Sequence, residues 1–130
     1  LVPYRLEMGT KWEITPKTKN LYQFWGKKIA QYLNNEMAES EVLINLASTE
    51  YFKVVDRKTL KSRVITPVFK EFKNGDYKIV MMYAKHARGA MARYIVINKL
   101  IDPEELKLYD VDGYSFDLNQ SSETEWVFVR

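Results

Sequence analysis

Two β-rich runs, residues 64–72 and 77–83, are separated by Lys73-Asn74-Gly75-Asp76. Asn-Gly between such runs is the strongest short-range hairpin signal, because a tight turn there needs two residues at positive φ. At least one antiparallel strand pair is therefore expected, and any helices must be arranged around it. Asn20 predicts an N-cap for a helix reaching about Met37, with Leu21, Phe24, Trp25, Ile29, Tyr32 and Leu33 as its apolar stripe. Gly26 weakens that helix slightly and suggests close packing. The segment 4–8 alternates apolar and charged residues and reads as a short strand ended by Gly9. Val42–Leu46 is a further short strand, and a helical segment follows from about Glu50 to Val55. Tyr83 leads through Ala84 into a helix ending near Ile101. Asp102-Pro103 opens a short helix, and Tyr109–Asp117 and Trp126–Val129 read as strands. The expected fold is mixed α/β: a single compact domain over residues 1–130, its mixed sheet containing an antiparallel hairpin and flanked by helices.

Charge is distributed unevenly. Between Lys53 and Lys99 twelve basic residues face three acidic ones, whereas Asp102–Arg130 holds two basic and eight acidic. A basic block of this kind is the footprint of a polyanion binder, unless the acidic tail folds back and neutralises it. At its centre lies Tyr83-Ala-Lys-His-Ala-Arg-Gly-Ala-Met-Ala-Arg93, which sets Lys85, His86 and Arg88 where the strand is expected to give way to the helix. A helix N-terminus already carries about half a positive charge, so cations there point either to a bound anion or to solvent and partners elsewhere. Arg93 shares a helical line with His86. Gly89, Ala90 and Ala92 permit a close backbone approach, for packing or for a nucleic-acid backbone.

The same residues narrow the chemistry. There are no cysteines, so thiol nucleophiles and thiolate metal sites are excluded, and a single histidine precludes a His-cluster site. No Gly-rich phosphate loop or dinucleotide fingerprint occurs. Asp110, Asp112 and Asp117 lack the remaining ligands of a calcium loop and read as a solvated acidic face. Trp12, Trp25 and Trp126 suit core positions better than base stacking. We expect no catalytic motif, no metal, no cofactor and no membrane span, and a monomer in the cytoplasm. Arg5 and Glu7 share the polar face of their segment, as a phosphate contact with its orienting acid or as an ion pair. Glu50 and Lys53 share one helical face and pair in the simplest case.

Pro3-Tyr-Arg-Leu-Glu-Met-Gly9, Leu21-Tyr-Gln-Phe-Trp-Gly26, Ile44-Asn-Leu-Ala-Ser48 with Glu50-Tyr-Phe-Lys53, and Tyr83-Ala-Lys-His-Ala-Arg-Gly89 occur in that order. Together with Gly113-Tyr114 and Trp126-Val-Phe128 they resemble the bacterial YaaA family of peroxide stress-resistance proteins. The resemblance implies a larger fold of which this chain is the C-terminal half, without the family's Ser-Pro-Ala-Lys type motif and the helical region behind it. It implies an unusual α/β architecture with a helix-hairpin-helix element, for which no matching Gly-containing hairpin is visible here. It implies cytoplasmic proteins that limit free iron and the damage it drives, and that bind double-stranded DNA through a positively charged cleft. Carried onto this sequence, the anion contacts are Lys85, His86, Arg88, Arg5 and Lys53, with Glu7 as orienting acid; the helical line shared with His86 adds Arg93 to the set. The alternative is a small-molecule or nucleobase-directed enzyme using Arg5, Glu7, His86 and Arg88.

Overall fold

The computed structural model describes residues 7–11 and 15–130. They group into two compact units, one built from the chain up to Glu41 together with Ala47–Ser62, the other from Val42–Leu46 and Arg63–Arg130. The segment expected as strand 4–8 lies largely outside the described residues, as do Arg5 and Trp12.

In the first unit, Asn20 caps α1 (Leu21–Trp25) by accepting the Gln23 N–H at 2.9 Å, as the sequence predicts. The single helix expected to Met37 is instead broken. Gly26 adopts φ 49° and ψ −119°, ends α1, and a second helix, α2 (Lys28–Glu36), follows. That conformation is open to glycine and strained for any residue with a Cβ. A Cβ added there would meet nothing closer than the Gln23 carbonyl at 3.7 Å, so the cost of substitution is backbone strain and not collision. Gly26→Ala is expected to lose about 1–2 kcal/mol in urea unfolding; an unchanged midpoint would show that the kink is dispensable. The break leaves Trp25 38% exposed, edge-on to Phe24 at 5.3 Å, instead of in a core. α3 (Thr49–Phe52) is tied to α1 by the Tyr22 hydroxyl, which donates to the Glu50 carbonyl at 2.7 Å. Asn34 of α2 holds the 59–61 segment by donating to the Thr59 carbonyl (2.8 Å) and accepting the Lys61 N–H (2.9 Å).

The second unit is an α/β layer built on one long strand. β1 (Val42–Ile44) runs parallel to β2 (Arg63–Lys73), and β2 runs parallel to β5 (Glu125–Val129). β4 (Ser115–Asp117) closes antiparallel on β5, and β3 (Asp76–Lys78) pairs antiparallel with the end of β2. The Asn-Gly hairpin is present: Lys73 pairs with Asp76, with Asn74 and Gly75 at φ 56° and 81°.

Proline is unusual inside a central strand because it cannot donate to the ladder. Thr66 donates to Thr124 beside β5, so position 67 turns to the opposite edge. On that edge β1 pairs with β2 only as far as Ile65 and β3 pairs with it only from Glu71, which leaves Pro67 in the gap between them. The strand expected over 77–83 ends at Lys78, and the same gap means it could not have paired over its full expected length. Continued pairing would bring Met82 opposite Pro67, which has no N–H to offer. The chain turns instead into α4 (Met81–Asn98), with Lys99 in a left-handed conformation after it.

Ala87 and Met91 of α4 enter a core formed with Ile65, Phe69, Leu106, Tyr109, Tyr114, Trp126 and Phe128, and Ala84, Tyr94 and Ile95 pack against it. These α4 positions recur every three or four residues, one stripe of the helix. Trp126 is thus a core residue, as expected. The Asp102-Pro103 helix is a 3₁₀ segment, Pro103–Leu108, capped by Asp102 accepting the Glu104 N–H at 2.9 Å. Most of the strand expected over Tyr109–Asp117 is a turn, with Asp112 at φ 58°, and only Ser115–Asp117 pairs.

Candidate anion-binding face

α4 starts at Met81, one turn earlier than expected, and its first helical bond runs from the Ala84 N–H to the Val80 carbonyl. Lys85, His86 and Arg88 therefore sit in the second and third turns, and not on the unpaired N–H groups of the terminus. The dipole conflict inferred from sequence largely dissolves, since the effect fades within the first turn. What replaces it is a face. At about 100° per residue, the positions opposite the core stripe are Met82, Lys85, His86, Gly89, Arg93 and Val96. Each of these is exposed. Gly89 lies mid-face with no atom within 4 Å of where a Cβ would stand, leaving bare backbone between Lys85, His86 and Arg93. Close packing within the described chain is thus not what Gly89 serves.

Among the described residues, Lys85, His86 and Arg93 make no ion pair or side-chain hydrogen bond. No acidic residue occurs between Asp76 and Asp102. Among the described residues, no carboxylate of the acidic tail forms an ion pair with Lys85, His86 or Arg93. Glu104 pairs with Lys107, and Asp117 is consumed by its own turn, accepting the side-chain amide of Gln120 (2.8 Å) and the Asn119 N–H (2.9 Å). Those bonds, the Gln120 side chain first, hold the Asp117 carboxyl below its usual range.

Arg88 is half-buried at the margin of the core stripe and has interactions of its own. It lies about 160° around the helix from His86, so the two do not share a face. Lys53 is exposed in the first unit with its ammonium over the Tyr22 ring at 5.5 Å, while the Glu50 carboxylate accepts the Met8 N–H at 3.2 Å. Glu7 is exposed in the same unit. Among the described residues, no three His, Cys, Asp or Glu side chains are grouped to hold a metal ion. No helix among them is long and apolar enough to cross a membrane.

The most organised polar cluster escaped the sequence reading. Arg130 donates from Nε to Glu71 Oε2 at 2.8 Å and from Nη1 to the Asp112 carbonyl at 3.0 Å. Its guanidinium lies 4.6 Å from the Tyr114 ring centroid and 5.2 Å from that of Tyr83, in the first turn of α4. The Tyr114 hydroxyl donates to Glu71 Oε1. Burial alone would raise the Glu71 carboxyl, but the Arg130 and Tyr114 bonds outweigh it and hold it below the usual range. Beside this cluster the Tyr109 hydroxyl is buried without a hydrogen-bond partner, and burial, helped by the Asp112 charge, pushes it up to about 12. The available sequence signal was Glu71 itself, the one acid in a long core strand.

Against known proteins, residues 1–120 match the family described as peroxide stress protein YaaA. Relatives include UPF0246 proteins of Ralstonia pickettii (strain 12J), 52% identical, and of Janthinobacterium sp. (strain Marseille), 55% identical. A third, from Aliivibrio fischeri (strain ATCC 700601 / ES114), is 56% identical. Each alignment covers 98% of this chain and 50% of the relative, so the chain spans about half the length of the curated relatives it matches. With the four sequence motifs and this match in register, the chain belongs to the YaaA family of peroxide stress proteins.

Proposed function

We propose that this chain binds double-stranded DNA, or a comparable polyanion, chiefly through backbone phosphates, and that this binding contributes to peroxide tolerance by limiting iron-driven damage. The observation that carries the reading is the outer face of α4, where Lys85, His86 and Arg93 surround the exposed backbone of Gly89 with no carboxylate partner among the described residues. Cations left unpaired on a rigid helix are available to phosphates, and a glycine among them lets a sugar-phosphate backbone approach closely. The family resemblance implies Arg88, Lys53 and Arg5 as further anion contacts, with Glu7 as orienting acid, each to be tested separately from this face. We take the protein to work in the cytoplasm as a monomer.

The test is duplex binding measured by fluorescence anisotropy across a salt series. Affinity should fall by about 0.9 log unit per log unit of salt for each phosphate neutralised. Lys85→Ala with Arg93→Ala should weaken binding roughly tenfold at 0.1 M salt and flatten the slope by about 2. The loss should be equal for unrelated sequences, because phosphate contacts carry no base information. Binding and slope unchanged in the double variant would refute the assignment.

A further inference from the structure

The chain has five methionines and no cysteine, so its only sulfur atoms are thioethers. They differ sharply in access. Met91 is fully buried and Met8 is 7% exposed, whereas Met81 is 84% and Met82 60% exposed. The two exposed ones occupy the first two positions of α4, whose N-terminus has no side-chain cap and no acidic residue in its first turn. The N–H groups of Met81, Met82 and Tyr83 precede the first helical bond.

We propose that Met81 and Met82 form a peroxide-modification site, at which oxidation to the sulfoxide is accommodated and strengthens the start of α4. In the reaction a sulfur lone pair attacks hydrogen peroxide, the O–O bond breaks, and one oxygen remains on sulfur as S=O. The other leaves as water, so the sulfur is oxidised by two electrons and the peroxide reduced by two. Oxidation ordinarily harms a protein by placing a polar group in a core. Here it removes apolar surface from water and sets a strong acceptor, with negative oxygen, beside uncapped N–H groups, where negative charge is favoured. The inference rests on exposure and on the uncapped terminus; Met82 lies on the same outer face of α4 as Lys85, His86 and Arg93, but the oxidation does not require polyanion binding there.

Peptide mapping after treatment with hydrogen peroxide should show one added oxygen each on Met81 and Met82, appearing about tenfold or more faster than on Met8 and Met91. Half-buried Met37 should fall between. The treated chain should have a raised thermal midpoint. Met81→Leu with Met82→Leu should abolish that rise while leaving the apolar surface in place, and Met81→Gln with Met82→Gln should reproduce it without peroxide. Equal oxidation of buried and exposed methionines, a lowered midpoint on oxidation, or a rise that persists in the leucine variant would each overturn the proposal. Unchanged peroxide behaviour in the Lys85 and Arg93 variant supports the independence of the two sites; loss of it would contradict that independence.

Discussion

Phe128→Ala is expected to destabilise the second unit by about 3–5 kcal/mol, a large fraction of the stability of an ordinary domain. Phe128 is fully buried on β5, stacked on Phe69 at 5.5 Å and edge-on to Phe116 at 5.7 Å and Tyr109 at 5.8 Å. Truncation removes three aromatic contacts at once. Neighbours anchored in β2, β4 and the 3₁₀ turn cannot close the void without moving the backbone. A urea titration followed by far-UV circular dichroism checks it. Phe128→Leu, which refills part of the volume, should recover more than half of the loss. A shift under about 1 kcal/mol for the alanine variant would mean that the aromatic layer is not the organising core.

That layer was largely legible in the sequence. The β-rich run 64–72, the Asn-Gly turn and the apolar Trp126–Val129 run each mark a local pattern that packing then reinforces. What failed to show were decisions taken between segments. A strand paired as far as Tyr83 would need a ladder partner for Met82, and Pro67, fifteen residues upstream, withholds it. Gly26 was visible as a weak point, but whether a helical glycine is tolerated or becomes a break at positive φ depends on what α1 and α2 pack against. The basic motif stood out in the sequence for a reason tied to a helix terminus that lies a turn earlier. Its cations face outward because the stripe 84–95 commits the opposite side of α4 to the sheet, leaving Lys85, His86 and Arg93 exposed. Arg88, two residues from His86, is carried to the margin of the buried side by the same geometry. Glu71 and Arg130 are 59 positions apart and only the register of β2 on β5 joins them.

That pairing carries the second large effect. Glu71→Ala is expected to cost about 2–3 kcal/mol, because it removes a charged acceptor from Arg130 and leaves the Tyr114 hydroxyl without its partner. The side chains of Glu71 and Arg130 are 14% and 31% exposed, so water screens the pair only in part. The sign of the pH dependence follows from the depressed carboxyl of Glu71. Its contribution is complete above the ordinary glutamate value of about 4.3 and is lost as pH falls through the lower folded value. Glu71→Gln keeps an acceptor for Tyr114 and removes the titration. Its deficit relative to the native chain should be largest at neutral pH and shrink below about pH 4. At the alkaline end the sign reverses. Tyr109, pushed up to about 12, and Tyr114, raised by burial and by its bond to Glu71, both favour the neutral phenol in the folded state. Stability held below the ordinary tyrosine value of about 10 should therefore decline as pH rises beyond it. Unfolding free energies measured across this range, with a deficit for Glu71→Gln that stays constant from neutral pH into acid, would show that the Arg130 contact adds nothing to the fold. A deficit that closes in acid would identify Glu71 as the group that fastens the end of β2 to Arg130 and, through the Arg130 guanidinium, to the Tyr83 ring at the start of α4.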